Sequence, residues 1–263
     1  MTGSFTIIRN EINFIKAHLD AWLPHLDSMS FYDGNSTDGT LEILEQYAKD
    51  NPKIILVKNK DPEDLKDDYV RIFNECLWSC PCELAIFIHP DMLPVNGEIL
   101  RKLPDDIICA KTRIESFAGE PKGDVYRISG RGAYWKNIYR LRNPKLGAHY
   151  FGAYGAAAED IYFSEITGNS HKFSPNFEDY PYPIHDSGLK INHFSDVRPY
   201  DRRLERMTRC MLNQGYSEID AMKAALIHPR VTLKSGTMVS RAGHTFDYDF
   251  KLVDSPILEG LIK

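Results

Sequence analysis

The feature that most constrains the fold is an alternation of short apolar segments with amphipathic ones over the first hundred residues. Residues 5–8, 29–32, 54–57 and 84–88 have the length and the β-branched or aromatic content of buried strands. The segments between them place apolar residues at helical spacing, as on a face that contains Phe14, Ile15, His18, Leu19 and Trp22. Buried strands separated by helices predict an α/β fold with a mostly parallel sheet flanked by helices.

Composition narrows the class of protein further. A chain of 263 residues with a net charge of −5 can bury a continuous core and offers no concentrated basic surface, so we expect no nucleic-acid partner. No apolar run approaches the roughly 20 residues that span a bilayer, and the start does not resemble a secretory signal. We therefore expect no transmembrane segment and a cytoplasmic location. The five cysteines, Cys76, Cys80 and Cys82 among them, are expected to be buried free thiols.

Two polar segments follow strands of the predicted sheet, residues 33–37 and 89–91. Ligands of open parallel sheets bind beyond the carboxyl ends of the strands, so the functional site is expected there. Part of the first segment is explained by an ordinary strand-to-helix turn, with Ser36, Thr37 or Asp38 as the helix N-cap. That explanation leaves out Asp33 at the end of the strand, where a carboxylate can accept hydrogen bonds from a base or a ribose.

The segment from Asp33 to Thr40 resembles the Asp-Asp-Gly-Ser-Thr-Asp-Gly-Thr signature of the family 2-like inverting glycosyltransferases, which have a GT-A fold. The upstream Arg9-Asn10-Glu11 resembles the Asn-Glu pair that follows the first strand in that family. The resemblance implies that Arg9, Glu11 and Asp33 line a nucleotide pocket. Gly34 stands where the family commonly has a second aspartate.

A second region of resemblance lies on the helix before the fourth strand. Arg71 and Asn74 match a family region near the nucleotide, which implies that Arg71 contacts the donor. Both positions suit an exposed helix face equally well.

The segment Ile88-His89-Pro90-Asp91 resembles the Asp-x-Asp motif of the same family. An acid after a strand also suits a turn, but a nucleotide diphosphate needs a cation to neutralise its charge. The resemblance implies that Asp91 holds Mn²⁺ or Mg²⁺ and that His89 binds the metal, contacts the ribose or packs. It also implies a late histidine ligand, His193, with His185 as the alternative; a histidine in an apolar strand otherwise belongs to the core.

Residues 159–166 are predicted to form a helix that begins with the acidic pair Glu159-Asp160. Acidic residues are favoured at a helix start by the macrodipole, which is one explanation of the pair. The pair also resembles the Glu-Asp motif of the family, which implies that Asp160 is the general base that deprotonates the acceptor hydroxyl.

Three arginines and three aromatic residues complete the set of candidates. Arg198, Arg202 and Arg203 suit phosphate oxygens, although most arginines on such helices are simply solvated. The aromatic residues, either an acceptor platform or core residues, are Tyr134, Trp135 and Tyr139.

These resemblances together imply a GT-A domain over residues 1–200 and a C-terminal helical extension over residues 201–263. The implied function is metal-dependent transfer, with inversion, of a hexosyl or related group from a UDP- or GDP-sugar donor to a glycan or other hydroxyl acceptor. Two alternatives stay open: a non-catalytic sugar- or nucleotide-binding protein on a degenerate scaffold, and a sugar nucleotidyltransferase. The second would show a Gly-rich loop after the first strand, where this chain has Arg9-Asn10-Glu11.

Overall fold

A computed structural model describes residues 1–57, 69–107, 109–120, 124–140, 148–152, 160–164, 169–173, 185–213, 215–239 and 245–253. Its helices are α1 (Ile15–Trp22), α2 (Thr40–Asp50), α3 (Tyr69–Ser79), α4 (Tyr200–Asn213), α5 (Glu218–Leu226) and α6 (Pro229–Thr232), with a 3₁₀ helix at Gly97–Lys102. Its strands are β1 (Thr2–Ile8), β2 (Ser28–Asp33), β3 (Ile54–Val57), β4 (Leu84–Phe87), β5 (Met92–Pro94), β6 (Cys109–Gly119), β7 (Val125–Arg140), β8 (Ala148–Gly152), β9 (Asp160–Ser164), β10 (Asn169–Phe173), β11 (His185–Val197), β12 (Gly236–Val239) and β13 (Thr245–Leu252).

The first four strands form a parallel sheet in the order β3-β2-β1-β4. In the register, Ile8 at the end of β1 lies opposite Asp33 at the end of β2. β7 then joins β4 in the antiparallel direction, and the order continues through β6, β11 and β5. The predicted α/β class, with its parallel sheet flanked by helices, is confirmed.

Helices pack on both faces of this sheet because neighbouring residues of a strand point to opposite sides. On one face, His18 of α1 contacts Phe31 of β2 through their rings. On the other face, Phe73 of α3 packs edge-on against Phe5 of β1 at 5.0 Å between ring centroids, in a cluster that includes Tyr32. The apolar face predicted for α1 is confirmed, since Ile15, His18, Leu19 and Trp22 are all buried.

The chain divides into two compact units. The division between them does not coincide with the domain boundary that was predicted at residue 200. The first unit comprises Met1–Arg113 and Tyr134–Ile191, and the second comprises Ile114–Ala133 and Asn192–Lys263. The long strands β6, β7 and β11 each contribute one part to each unit. Residues 201–263 contain the strands β12 and β13 as well as the expected helices, and β13 pairs with β7.

The segment around Asp160 differs from the predicted helix. Asp160–Ser164 forms strand β9, which pairs with β8 on one side and β10 on the other. The residues after Asp160 are Ile161, Tyr162 and Phe163, whose β-branched and aromatic side chains favour a strand. The prediction of a helix over residues 159–166 is therefore wrong for the described residues.

Across the whole described part of the chain, no helix is long and apolar enough to cross a membrane.

Candidate functional site

The loop after β1 and the segment after β2 are joined by hydrogen bonds at the carboxyl edge of the parallel sheet. The backbone N–H of Gly34 donates to the carbonyl of Ile8 at 2.8 Å, which continues the β1–β2 pairing beyond the strands. The N–H of Asn10 donates to Oγ of Ser36 at 2.9 Å, and Oδ1 of Asn10 accepts from the N–H of Thr37 at 2.8 Å. We call the set of bonds between residues 9–12 and residues 33–40 the loop clamp.

Asp38 and Thr40 complete the loop clamp from the start of α2. The N–H of Ile12 donates to Oδ2 of Asp38 at 3.0 Å, and the N–H of Glu11 donates to Oγ1 of Thr40 at 2.9 Å. The hydroxyl and the N–H of Thr40 both donate to Oδ1 of Asp38, at 2.5 and 3.0 Å. Burial opposes ionisation of Asp38, but the bonds from the Thr40 hydroxyl and from the backbone outweigh it and lower the pKa of the carboxyl group.

Asp33 is held by the turn that follows it. Its Oδ1 accepts from the hydroxyl of Ser36 at 2.6 Å, and its Oδ2 accepts from the N–H of the same residue at 3.0 Å. The side chain is nearly buried, with 7% of the residue exposed. A carboxylate has about four lone-pair positions, so the two bonds to Ser36 fix its orientation and leave acceptor capacity for a ligand.

The segment that follows β4 carries His89 and Asp91. The ring of His89 stacks edge-on against Phe87 at 4.8 Å between centroids, and the N–H of Met92 donates to the carbonyl of His89 at 3.0 Å. Because β4 neighbours β1 in the sheet, this segment leaves the same edge as the loop after β1. Two of the predicted site segments, residues 9–11 and 89–91, are therefore adjacent in the fold.

Helix α1 contacts the segment that contains Asp91. The indole Nε1 of Trp22 donates to the carbonyl of Met92 at 2.8 Å, in a bond that is fully buried. One turn earlier on α1, burial lowers the pKa of His18 to about 4, while the carboxylate of Asp91 and the backbone of Met92 and Pro90 act in the opposite direction. Sequence reasoning placed both helix residues in the core, but no signal in the sequence linked them to Asp91.

The donors present suit a cation that is shared with a diphosphate. In such sites one or two protein carboxylates suffice because the phosphates complete the coordination shell. Among the residues that the structure describes, no group of three or more His, Cys, Asp or Glu side chains is placed to hold a metal ion by itself. Asp91, with His89 two residues before it, therefore fits a shared cation and not an all-protein metal centre.

His193 belongs to the second unit, and its predicted place in the metal site stays a prediction. Its side chain is buried on β11, and its charge acts on the nearby Asp196. Burial opposes ionisation of Asp196, but Arg230 and Arg206, with a smaller contribution from His193, hold the pKa of that carboxyl low. The alternative ligand, His185, is half-buried at the start of β11 in the first unit.

For the remaining predicted residues, the structure describes only some of the side chains. Arg9 is exposed and Glu11 is half-buried, both within the loop clamp. The side chains of Arg71 on α3 and Asp160 on β9 lie outside the described part of the chain, as do those of Asn74, Tyr134 and Trp135. Tyr139 is a core residue, as one of its two interpretations predicted.

The candidate phosphate-binding arginines have structural partners within the second unit. Arg203 is buried, donates to the carbonyl of Gly119 at 2.7 Å and pairs with Glu120 at 2.8 Å. Arg198 donates through Nε to the carbonyl of Ser195 at 3.0 Å. Arg202 is exposed and pairs with Glu205 one turn away at 2.9 Å, as expected for a solvated helix arginine.

The cysteines are free, as predicted, and four of the five are buried. Cys210 on α4 is exposed, so the expectation of burial is wrong at that position.

Comparison with known proteins gives structural likeness without a family. No protein-family model matches the chain, and no curated protein matches its sequence. The structure of GalNAc-T7 with UDP, GalNAc and Mn²⁺ is similar at a TM-score of 0.44 and 10% identity, over 86% of this chain and 56% of that one. The chain thus spans little more than half the length of that protein.

Two further solved structures are similar at the same level. The mannosyltransferase PcManGT from Pyrobaculum calidifontis, in complex with GDP-Man and Mn²⁺, has a TM-score of 0.45 and 12% identity, over 88% of this chain and 77% of that one. S. aureus TarS 1-349 with UDP-GlcNAc has a TM-score of 0.37 and 12% identity, over 86% of this chain and 72% of that one. Scores and identities this low define no family for the chain.

Proposed function

We propose that this chain is a GT-A glycosyltransferase that transfers a hexosyl or related group, with inversion, from a nucleoside-diphosphate sugar to a hydroxyl acceptor in a cation-dependent reaction. The observation that carries the proposal is the loop clamp. It fixes Glu11 and Asp33 at the carboxyl edge of a parallel sheet, beside the segment that bears His89 and Asp91. Ligands of such sheets bind at this edge.

The nucleoside is proposed to lie over the clamp. Asp33 is held by Ser36 in an orientation that leaves lone pairs for the N–H of a base or for ribose hydroxyls. Arg9 and Glu11 flank it on the loop after β1, and Arg71 is proposed to reach the same nucleotide from α3. Because the backbone of residues 10–12 is hydrogen-bonded to residues 36–40, the backbone that carries Glu11 needs no further ordering on binding.

Asp91 is proposed to hold Mn²⁺ or Mg²⁺ together with the donor diphosphate, with His89 contacting the cation or the ribose. A cation bound there would neutralise negative charge on the leaving diphosphate. The contribution of this chain is to keep the Asp91 carboxylate in place through the buried Trp22–Met92 bond and the neighbouring His18. His193 is proposed as a further ligand on the strength of the sequence resemblance alone.

Asp160 is proposed as the general base. Its carboxylate would take the proton from the acceptor hydroxyl as the acceptor oxygen attacks the anomeric carbon and the bond to the diphosphate breaks, which inverts the configuration. The residue begins β9 and is paired across to Gly152 and Phe173. A strand in a three-stranded sheet is a rigid support for a base.

The proposal is tested by a donor screen on the purified chain. A panel of UDP-, GDP- and dTDP-sugars is incubated with Mn²⁺ or with EDTA, and free nucleoside diphosphate is measured. Release from one donor that requires Mn²⁺ is the expected result. Binding of a donor by calorimetry without release, with a range of simple acceptors present, would favour the non-catalytic alternative; an absence of donor binding would refute the proposal.

Asp91→Asn and Asp106→Asn form a matched pair for the same screen. The first removes the proposed cation ligand from the buried segment, and the second changes an exposed aspartate remote from the sheet edge. Metal-dependent release is expected to fall about 100-fold or more in the first variant and to stay at the wild-type level in the second.

A further inference from the structure

Two cysteines at the opposite, amino-terminal edge of the parallel sheet are unused by the proposed mechanism. Cys80 and Cys82 flank Pro81 between α3 and β4, and both are buried free thiols. A β-carbon built on Gly3, near the start of β1, would lie 2.6 Å from Sγ of Cys80 and 2.9 Å from Sγ of Cys82. The two sulfur atoms therefore converge on one small space that only glycine leaves open.

The two thiols also interact directly. A hydrogen bond joins the side chains of Cys80 and Cys82. A disulfide requires Cα atoms about 4.4–6.8 Å apart, and Cα atoms two residues apart are separated by at most about 7.6 Å, so the sequence spacing of this pair is close to the range that a disulfide spans. Because the two cysteines are only two residues apart, a disulfide between them requires no contact between distant parts of the chain.

The surroundings differentiate the two sulfur atoms. The hydrogen bond from Cys80 lowers the pKa of Cys82, against burial and the carboxylates of Asp27 and Glu83, while the amino terminus also favours the thiolate. The same hydrogen bond, together with burial, raises the pKa of Cys80. The hydrogen bond thus favours the thiolate form at Cys82 over that at Cys80.

A cavity lies next to charged neighbours of Cys82. It has a volume of about 460 Å³ and is lined by residues that include Met1, Asp27, Glu83 and Leu84. Asp27, Glu83 and the amino terminus are the groups whose charges act on Cys82. The cavity therefore adjoins charged neighbours of Cys82, while neither cysteine is among its described lining residues and both are almost fully covered.

We propose that Cys80 and Cys82 form a reversible dithiol–disulfide pair that is oxidised by hydrogen peroxide. The Cys82 thiolate attacks the peroxide, the O–O bond breaks, and a sulfenic acid and hydroxide form. The Cys80 thiol then gives up its proton and attacks the sulfur of Cys82, so that a disulfide forms and water leaves. Two thiols are oxidised, one peroxide is reduced, and two water molecules result.

The test uses the wild-type chain and does not depend on glycosyl transfer. The native protein is treated with hydrogen peroxide, quenched, unfolded in iodoacetamide and digested with trypsin. Cleavage at Arg71 and Arg101 releases one peptide, residues 72–101, which contains Cys76, Cys80 and Cys82. We expect this peptide to lose about two mass units and to carry a single alkyl group, on Cys76. Treatment with dithiothreitol before alkylation should restore three alkyl groups.

Cys210 and Cys109 serve as internal controls in the same digest. Cys210 is exposed and reports that the oxidant acted, whereas Cys109 is buried and should stay reduced. Oxidation of Cys210 with three alkyl groups retained on peptide 72–101 would overturn the proposal, as would a disulfide that includes Cys76 or an irreversible oxidation that dithiothreitol does not reverse.

Single variants test the order of the two steps. Cys80→Ser should stop the reaction at a Cys82 sulfenic acid, which dimedone traps. Cys82→Ser should leave Cys80 unoxidised, with alkyl groups on both Cys76 and Cys80. Dimedone labelling of Cys80 in the second variant, at the rate of Cys82 in the first, would refute the assigned roles, and the wild-type peptide map decides the pairing even if a variant folds poorly.

Discussion

The hydroxyl of Ser36 accepts a hydrogen bond from the backbone N–H of Asn10 at 2.9 Å. The same hydroxyl donates to Oδ1 of Asp33 at 2.6 Å. One small side chain therefore connects the loop after β1 to the carboxylate at the end of β2, and it does so at the edge of the sheet where a donor nucleotide is proposed to bind. Ser36 orients Asp33 and at the same time fixes the backbone beside Glu11.

Asp38→Ala removes a side chain that accepts three described hydrogen bonds, one of them across the loop clamp. The N–H of Ile12 and both donors of Thr40 lose their acceptor. We expect unfolding free energy to fall by about 1–3 kcal/mol, because charged acceptors of backbone N–H groups contribute in this range. Urea unfolding measures the change, and the KM for the donor should rise at least several-fold.

The matched control for Asp38→Ala is Asp50→Ala at the other end of α2. Asp50 accepts one exposed bond, from the side chain of Gln46 at 2.9 Å. Its loss should change stability by no more than about 0.5 kcal/mol, as for most exposed positions. Equal losses of unfolding free energy in the two variants would show that the bonds of Asp38 contribute no more to stability than the exposed bond of Asp50.

Trp22→Phe isolates the bond that anchors the Asp91 segment. The substitution keeps an aromatic ring in the core but leaves the buried carbonyl of Met92 without the indole donor. We expect the free energy of unfolding, measured in urea, to fall by about 1–3 kcal/mol. Donor release should also depend less strongly on the Mn²⁺ concentration. Trp78→Phe is the control, since Trp78 is 37% exposed and its replacement should be close to neutral.

The buried His18 is expected to make the free energy of unfolding depend on pH. Burial lowers the pKa of His18 to about 4 from an ordinary 6.5, with Asp91 opposing the shift and His89 adding to it. Between these two values the unfolded chain binds a proton that the folded chain does not, so stability falls as pH decreases from 6.5 towards 4. For a fully buried group this difference amounts to on the order of 3 kcal/mol.

Urea unfolding at a series of pH values checks this prediction with His18→Leu beside the wild type. The leucine variant should lose less stability over the same interval, because it has no group to protonate in the unfolded chain. An identical pH dependence in both proteins would contradict the assignment to His18.

The sequence was sufficient to predict the strands of the parallel sheet and the buried face of α1. These features follow from local patterns, since a run such as residues 84–88 is apolar throughout and α1 repeats its apolar residues at helical spacing. The prediction of Ser36, Thr37 or Asp38 as the N-cap of α2 is wrong, because the N-cap is Gly39, whose left-handed backbone (φ 98°) carries no side-chain cap bond. Asp38 does accept the N–H of Thr40, a local backbone bond that is common for Asp in turns.

Other features depend on contacts between residues far apart in the chain, which no local pattern encodes. Trp22 and Met92 are 70 residues apart, and nothing in an amphipathic helix specifies which carbonyl its indole will meet. Arg203 looked suited to phosphate but meets Gly119, 84 residues away. At Asp160–Ser164 the local pattern predicts a helix because the pairing of this strand with β8 and β10 is not encoded in neighbouring residues.

Arg203→Lys and Arg202→Lys separate a structural arginine from a solvated one. Lysine at position 203 cannot bond to the carbonyl of Gly119 and the carboxylate of Glu120 through a planar fork, so we expect a loss of about 2–4 kcal/mol in urea unfolding. At position 202 the same change affects an exposed pair with Glu205 and should cost less than about 0.5 kcal/mol. Comparable effects would show that burial of Arg203 does not matter for stability.

Asp160→Asn separates catalysis from binding in the proposed reaction. Asparagine has nearly the same shape as aspartate but cannot accept the proton of the acceptor hydroxyl, so transfer should fall by about 100-fold to 10,000-fold. The affinity for the donor, measured by calorimetry with Mn²⁺ present, should stay within a few-fold of wild type because the base contacts the acceptor and not the nucleotide. Asp106→Asn, at an exposed position, provides the control. Full turnover by Asp160→Asn would exclude this residue as the base, whereas a parallel loss of donor binding would indicate that the side chain supports the nucleotide site.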